Sequence, residues 1–179
     1  MAVSASLAAT LAGCGSSQPQ SAMNEAGAKA ELKGAPAPLK SIRSQANEIL
    51  DGGTSAFKRR IDQLDGYPIV VNKWASWCGP CRFEFPFFQK QARKHGAEIA
   101  FLGDNSEDAR DDAEEFLAKF PVPYPSYFDP DGEISALYRG DRVFPTTAFY
   151  NSMGKLVFTK QGGYPSEQAL VKDIRRHAR

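Results

Sequence analysis

Two cysteines separated by two residues, in the run Trp77-Cys78-Gly79-Pro80-Cys81, are the side chains of this sequence best placed to do chemistry. The run directly follows an apolar segment, Ile69-Val70-Val71, that is typical of a buried strand. If a helix begins at Gly79, its unpaired N–H groups and its dipole stabilise the Cys78 thiolate, which is the form that attacks a disulfide. The spacing therefore predicts thiol–disulfide exchange, in which Cys78 attacks and Cys81, one helical turn further in, resolves the mixed disulfide.

The structural alternatives to a redox pair have less support. Gly79 and Pro80 suit an active loop, because proline in the first turn of a helix costs no hydrogen bond. A static disulfide would stabilise the fold little, since it would close a very small loop. Zinc needs four ligands, and His95, His177 and Cys14 are not spaced as a second ligand pair. We therefore expect no metal and no cofactor.

The composition is that of a globular protein with little net charge. Of the 179 residues, 42% are hydrophobic and 24% are charged, which argues against intrinsic disorder. The 22 basic and 21 acidic residues give a net charge of +1, so nothing indicates nucleic-acid binding. The sequence has no run of about eighteen apolar residues, so no membrane-spanning helix is expected.

The third cysteine, Cys14, ends an apolar N-terminal string of small residues. The last four residues of that string, Leu11-Ala12-Gly13-Cys14, resemble a bacterial lipobox, so residues 1–14 are predicted to be a lipoprotein-type signal segment with lipidation at Cys14. Residues 15–40 are rich in Ser, Gln, Ala, Gly and Pro and are expected to form a flexible tether to a domain over residues 41–179. No basic residue precedes Lys29, although a signal requires one. Either translation starts further upstream, or Cys14 belongs to the N-terminal tail of a cytoplasmic protein.

The rest of the chain alternates between strand and helix patterns. Helices are predicted over about 55–64, 79–95, 108–120, 133–138 and 166–177, and strands over 68–74, 99–103, 146–150 and 155–160. The run Asp129-Pro130-Asp131-Gly132 predicts a turn, and Ser166 is a candidate cap for the last helix. This order predicts an α/β fold with a central mixed β-sheet and helices on both faces.

Four segments occur together in this sequence: the strand and cysteine run over residues 71–82, Glu84-Phe85-Pro86, Phe128-Asp129-Pro130-Asp131-Gly132, and Phe144-Pro145-Thr146-Thr147-Ala148-Phe149. Together they resemble the thioredoxin fold and, within it, the TlpA/ResA-like branch of extracytoplasmic thioredoxins. The resemblance covers about residues 55–179 and implies an extracytoplasmic, membrane-anchored thiol–disulfide oxidoreductase.

The resemblance also implies roles for single residues. Pro145 would follow a cis peptide bond and face the cysteines, with Phe144 and Thr146 flanking the substrate groove; an ordinary trans proline is the alternative. Glu84 would lie near the buried cysteine and tune proton transfer, unless it is a solvated helix residue. Asn72 stands where many thioredoxins carry a buried aspartate, which makes Glu84 the natural candidate for handling protons.

Around the cysteines, Trp77 is expected to support the disulfide and contact substrate together with Gly79 and Pro80. Either Phe83 or Phe85 is expected at the rim of the site, and a role for Arg82 in charge or in solvation stays open. Lys73 departs from the family pattern, which usually has an aromatic residue at this place in the strand. Because a lysine buried in a central strand is costly unless it is paired, we expect Lys73 to meet a carboxylate on its own sheet face.

The Gly-Pro dipeptide between the cysteines resembles that of reducing thioredoxins, for which about −270 mV is typical, against about −120 mV for a strong oxidant. The resemblance therefore implies a monomeric reductant of client proteins such as apocytochrome c, supplied with electrons by a membrane thiol carrier. The alternatives are an oxidising or isomerising disulfide donor, a general cytoplasmic thioredoxin, and a binding module that would tolerate loss of both cysteines. A peroxiredoxin would need a peroxidatic cysteine in a Pro-x-x-x-Thr-x-x-Cys setting, and no such setting precedes Cys78.

Overall fold

A computed structural model describes residues 34–179, which form a six-stranded sheet with six helices in this part of the chain. The strands are β1 Ile49–Leu50, β2 Ile69–Trp74, β3 Ala100–Ser106, β4 Ser126–Asp129, β5 Thr146–Tyr150 and β6 Leu156–Gln161. The helices are α1 Ala37–Ser44, α2 Gly53–Gln63, α3 Gly79–His95, α4 Arg110–Lys119, α5 Glu133–Leu137 and α6 Glu167–His177.

The sheet is mixed, as the sequence predicts. Its strand order is β1-β4-β3-β2-β5-β6. The first four of these strands run parallel, and β5 and β6 are antiparallel to their neighbours. β2 lies between β3 and β5 and is buried along its whole length, so its carboxyl end delivers the cysteine run from the centre of the fold.

The helices cover both faces of this sheet. Successive side chains of a strand point to opposite faces. The Asn72 side chain bonds to Glu84 on α3, whereas the Lys73 ammonium bonds to the carbonyl of Gly140, just after α5. The helices α3 and α5 therefore lie on opposite faces, and α2 packs beside α5. On the α3 face the Trp74 ring contacts those of Phe85 and Phe116, with centroids 5.2 and 5.1 Å apart.

The structure corrects the predicted tether at its C-terminal end. The helix α1 begins at Ala37, and Leu39 is only 1% exposed, so the folded domain begins before residue 41. The prolines of this segment suggested irregular structure, but proline is well tolerated in the first turn of a helix, and Pro38 lies there. Cys14, the rest of the predicted signal segment and residues 15–33 lie outside the described residues.

Two strands escape sequence-based prediction, which found only four. β1 has just two residues, and β4 follows a proline-rich stretch; both exist because they pair with each other and with β3. β3 also continues to Ser106, beyond the predicted end at residue 103, because its polar end is paired along β4.

The predicted cap of α6 is confirmed, since the Ser166 hydroxyl accepts a hydrogen bond from the Ala169 N–H at 3.3 Å. Over residues 34–179 no helix has the length and apolar character that crossing a bilayer requires.

Candidate active site

The two cysteines form a disulfide at the N-terminus of α3. Cys78 is the N-cap residue and Cys81 lies in the first turn, with their Cα atoms 5.3 Å apart. The Cys81 N–H points at the Cys78 sulfur, at 3.1 Å. A thiolate at Cys78 would therefore receive a backbone hydrogen bond and the positive end of the helix dipole. This is the geometry that the spacing predicted.

The two sulfurs differ in access. Cys78 keeps 3% of its surface exposed and Cys81 none, so an incoming sulfur can reach only Cys78. The intervening Gly79 and Pro80 are exposed, and a Cβ placed at Gly79 would meet nothing within 4 Å. The loop between the cysteines is thus an open surface on which a partner backbone can lie.

The loop before β5 meets the cysteine loop through two aromatic rings. The Phe144–Pro145 peptide bond is cis, as expected. The Phe144 and Trp77 rings lie 4.8 Å apart by their centroids, and Trp77 is 59% exposed. Thr146 corrects an expectation, because it is fully buried and its hydroxyl donates to the carbonyl of Val143. Its side chain therefore lies in the core, whereas that of Phe144 is half-buried beside Trp77.

Glu84 is fully buried on α3, one turn beyond Cys81. Its carboxylate accepts hydrogen bonds from the Asn72 amide and from the Tyr164 backbone N–H, both at 2.9 Å. Burial raises the pKa of Glu84 from 4.5 to about 7, against the opposing effects of these hydrogen bonds and of Lys160. A carboxyl group with such a pKa can take up and release a proton near neutrality. Because Glu84 is buried, the alternative of a solvated helix glutamate is wrong.

Glu84 also lies near the cis-proline. A Cβ at Gly163 would stand 3.6 Å from Glu84 Oε2 and 3.5 Å from Pro145 Cγ. The carboxylate and the proline ring therefore border the same small space. The Tyr164 N–H that binds Glu84 follows directly in the chain, so the segment between β6 and α6 closes this side of the site.

Lys73 is fully buried, and its register neighbour on β3 is the buried Asp104, with which it interacts electrostatically. Its ammonium donates to the Gly140 carbonyl at 2.8 Å, lies 3.5 Å from Glu107 Oε1, and stands 3.7 Å from the centre of the Phe144 ring. The expected carboxylate partner is thus present, and it belongs to Glu107, just beyond the end of β3. Lys73 thus places a cation against the face of the Phe144 ring.

Glu107 and Asp108 are site residues that sequence reasoning missed. Glu107 has a φ of 53°, which is uncommon outside glycine, and its carbonyl accepts a hydrogen bond from the Trp77 indole at 2.9 Å. The Asp108 carboxylate accepts from the backbone N–H and the hydroxyl of Ser76, at 2.5 and 2.7 Å. These two residues fix the chain just before Cys78. The sequence could have indicated them, because they are polar residues directly after β3. The carboxyl end of β3 lies at the same edge of the sheet as that of β2, since the two strands are parallel.

Three further residues of α3, two aromatic and one basic, differ in their exposure and in their contacts. Phe83 is 60% exposed, whereas Phe85 is 2% exposed and belongs to the core. The Arg82 guanidinium donates to the Ser76 carbonyl at 3.0 Å and stacks over Phe116. Arg82 therefore braces the cysteine loop in addition to carrying charge.

The described residues contain no group of three or more histidine, cysteine or acidic side chains that could hold a metal ion. His177 instead stacks on Phe158, with ring centroids 4.1 Å apart.

Comparison with known proteins agrees with this geometry. The model of the Redoxin family matches residues 47–174, most of the chain. The chain belongs to the redoxin family. Among curated redoxin relatives, it is 32% identical to the thiol-disulfide oxidoreductase ResA of Oceanobacillus iheyensis over 66% of this chain and 59% of that protein. It is 34% identical to the thiol:disulfide interchange protein HelX of Rhodobacter capsulatus, over 63% of this chain and 62% of HelX. The chain thus spans about three fifths of the length of these relatives.

Solved structures place this redoxin chain in the thioredoxin fold. A Chlorobium tepidum protein assigned as the thiol:disulfide interchange protein DsbE superposes with a TM-score of 0.60 and 31% identity, over 65% of this chain and 83% of that one. The exposed lipoprotein thioredoxin Etrx1 of Streptococcus pneumoniae superposes with a TM-score of 0.54 and 26% identity, over 65% of this chain and 89% of that one.

Proposed function

We propose that this chain is an extracytoplasmic, lipid-anchored thiol–disulfide oxidoreductase that reduces disulfides in client proteins. The observation that carries the proposal is the disulfide at the N-terminus of α3, whose accessible sulfur belongs to Cys78 and whose buried one belongs to Cys81. The resemblance to ResA, HelX and DsbE supports the same chemistry.

Reduction proceeds in two exchanges. The Cys78 thiolate attacks one sulfur of the client disulfide, so that a Cys78–client bond forms and the other client sulfur leaves as a thiolate. The Cys81 thiolate then attacks the Cys78 sulfur, which forms the disulfide of the resting structure and releases the second client thiol. Two electrons pass to the client, which takes up two protons. A membrane thiol carrier then returns two electrons and two protons to the oxidised pair.

Glu84 is the proton store for the second exchange. Cys81 is buried and must lose its proton before it can attack. Glu84 lies one turn away on the same helix, within the range at which side chains three residues apart meet. With a pKa of about 7, its carboxylate accepts that proton at neutral pH and releases it later.

Different observations support the direction of electron flow and the anchoring of the protein to a membrane. The Gly79-Pro80 dipeptide resembles that of reducing thioredoxins, and apocytochrome c is a client of the family that this chain resembles. Membrane anchoring is supported by Leu11-Ala12-Gly13-Cys14 and by the similarity to an exposed lipoprotein thioredoxin of Streptococcus pneumoniae.

Trapping of mixed disulfides tests the exchange. Expressed in a bacterial host with its N-terminal segment intact, Cys81→Ser should accumulate covalent client adducts on non-reducing gels, because the resolving sulfur is missing. Cys78→Ser is the matched control and should accumulate none. Equal adducts in both variants, or none in either, would refute the proposed roles. In the same cells, mass spectrometry of Cys14 should detect a diacylglycerol adduct, and an unmodified, soluble chain would refute the anchor alone.

A further inference from the structure

The second halves of α3 and α6 form a strongly basic face. An open groove of about 630 Å³ runs along α6 beside Lys90, and a second groove adjoins it along α3. Seven exposed cations line the two grooves, and we call them the basic face: Lys90, Arg93, Lys94, Lys172, Arg175, Arg176 and Arg179.

Few acidic groups offset this charge. Glu167 accepts hydrogen bonds from Lys90 and Gln91, and Asp173 accepts one from the Tyr164 hydroxyl at 3.1 Å. Glu98 lies beyond the end of α3. The near-zero net charge of the chain therefore conceals a segregation of charge, which creates a positive potential over this face.

Helix dipoles explain only part of the clustering. Cations in the last turn of a helix are favourable, which accounts for pairs such as Arg175 and Arg176. Lys172, however, lies before the last turn of α6, and Lys90, which lies before the last turn of α3, has Glu167 as an acidic partner.

The helices α3 and α6 also pack against each other. Burial and the nearby Lys94 lower the pKa of His95, Glu98 raises it, and Arg175 of α6 lowers it. Like charges brought together in this way repel each other unless an anionic partner covers them.

The position of the basic face points to that partner. In α1, the first described helix, Leu39 and Ile42 line a small cavity with Ala92 and Gly96 at the end of α3, so the chain enters the fold near the basic face. Nineteen residues separate Cys14 from Gly34, the first described residue, and a chain of that length reaches at most about 65 Å. A lipid at Cys14 would hold the domain close to headgroups without fixing which side faces them.

We propose that the basic face docks onto anionic lipid headgroups of the membrane that carries the chain. This inference rests on the membrane anchoring of the proposed function. Cys81 and Lys94 stand thirteen residues apart on α3, which is about 20 Å along the helix. A docked domain therefore holds the disulfide away from the bilayer, where clients and a thiol carrier can reach it. Because tethering gives a high effective concentration, a weak affinity is enough.

Vesicle binding tests the docking with the full chain carrying Cys14→Ser, so that no lipid contributes. We compare flotation with phosphatidylglycerol-containing and pure phosphatidylcholine vesicles, at low and at physiological salt. The variant Arg175→Glu/Arg176→Glu reverses two exposed cations of the basic face. The matched control, Lys58→Glu/Arg59→Glu, reverses two exposed cations on α2, on the opposite face of the sheet.

The expected result is salt-sensitive binding to anionic vesicles only, weakened at least about tenfold by the α6 reversal and less than twofold by the α2 reversal. Equal weakening by both variants, or no binding to anionic vesicles, would overturn the proposal. Binding to polyglutamate but not to vesicles would also overturn it, in favour of an acidic protein partner. Reduction of a soluble disulfide by the same samples reports on the proposed function separately, because neither pair of residues touches the cysteines.

Discussion

The Asn72 amide donates a hydrogen bond to Glu84 Oε1 at 2.9 Å, linking the central strand to the helix that carries the disulfide. Both residues are buried, 1% and 0% exposed. An amide can stabilise either protonation state of a carboxyl partner, whereas an aspartate at the same place would repel the ionised form. The Asn72–Glu84 pair therefore leaves one titratable group beside the buried cysteine.

Replacing Glu84 by Gln should remove a pH dependence of stability. The pKa of Glu84 is about 7 in the folded chain and 4.5 when unfolded, so the folded state binds the proton more tightly. The protonated Glu84 therefore adds to the free energy of unfolding below pH 4.5, and this contribution of about 3 kcal/mol is lost as pH rises through 7. Chemical unfolding of the oxidised protein at pH 4.5 and at pH 8 measures this difference in the free energy of unfolding. Glu84→Gln should lack most of this difference, and the exposed Glu98→Gln should keep it.

The same Glu84→Gln substitution should shift the titration of the reduced thiols, because an ionisable neighbour is lost. Alkylation rates of Cys78 and Cys81 followed from pH 5 to 10 measure this effect. Titration curves that coincide with those of the unaltered protein would remove Glu84 from the mechanism.

Replacing Lys73 by Met should weaken client binding more than chemistry. Methionine fills similar space, but it removes the cation beneath Phe144 and leaves the Gly140 carbonyl without its donor. The loop that carries Phe144 is then held less firmly. We expect a several-fold rise in KM for a protein disulfide and little change in the reaction of Cys78 with a small aromatic disulfide. The exposed hairpin residue Lys155→Met is the control, and a fall in kcat with unchanged KM would contradict this role.

Asp108→Ala should loosen the chain before the cysteines. The half-buried Asp108 accepts hydrogen bonds from Ser76, Asn105 and Ala109, and hydrogen bonds to a charged group contribute about 1.5–3 kcal/mol. A lower free energy of unfolding and increased quenching of Trp77 fluorescence by iodide are expected. The exposed neighbour Asp111→Ala should change neither markedly. Wild-type quenching in Asp108→Ala would mean that Trp77 is held without this clamp.

Local patterns carried most of what the sequence could predict. The disulfide at a helix N-terminus follows from the spacing of Cys78 and Cys81, and the Ser166 cap follows from one hydroxyl before an amphipathic stretch. The cis bond before Pro145 and the burial of Glu84 came instead from the family resemblance. Each of these features was predicted from a short segment of sequence, and the structure of the surrounding fold is consistent with it.

Features that depend on distant partners were not predictable in the same way. β1 and β4 are strands because they pair with each other and with β3, and neither shows strong alternation of its own. Lys73 is paired with Glu107, and Ser76 with Asp108. Both acidic residues follow β3, so they come near β2 only when the two strands align in parallel. Thr146 was misplaced because residues next to a cis-proline can face either the groove or the core.

The reduction potential of the Cys78–Cys81 pair separates a reductant of client disulfides from a disulfide donor. The full chain carrying Cys14→Ser, which has no third thiol, is equilibrated in thiol buffers of graded potential and alkylated, and the oxidised fraction is read by mass. A reductant supplied from the membrane should show a potential near or below about −250 mV. A potential above about −180 mV would contradict this expectation and identify a disulfide donor or isomerase built on the same site.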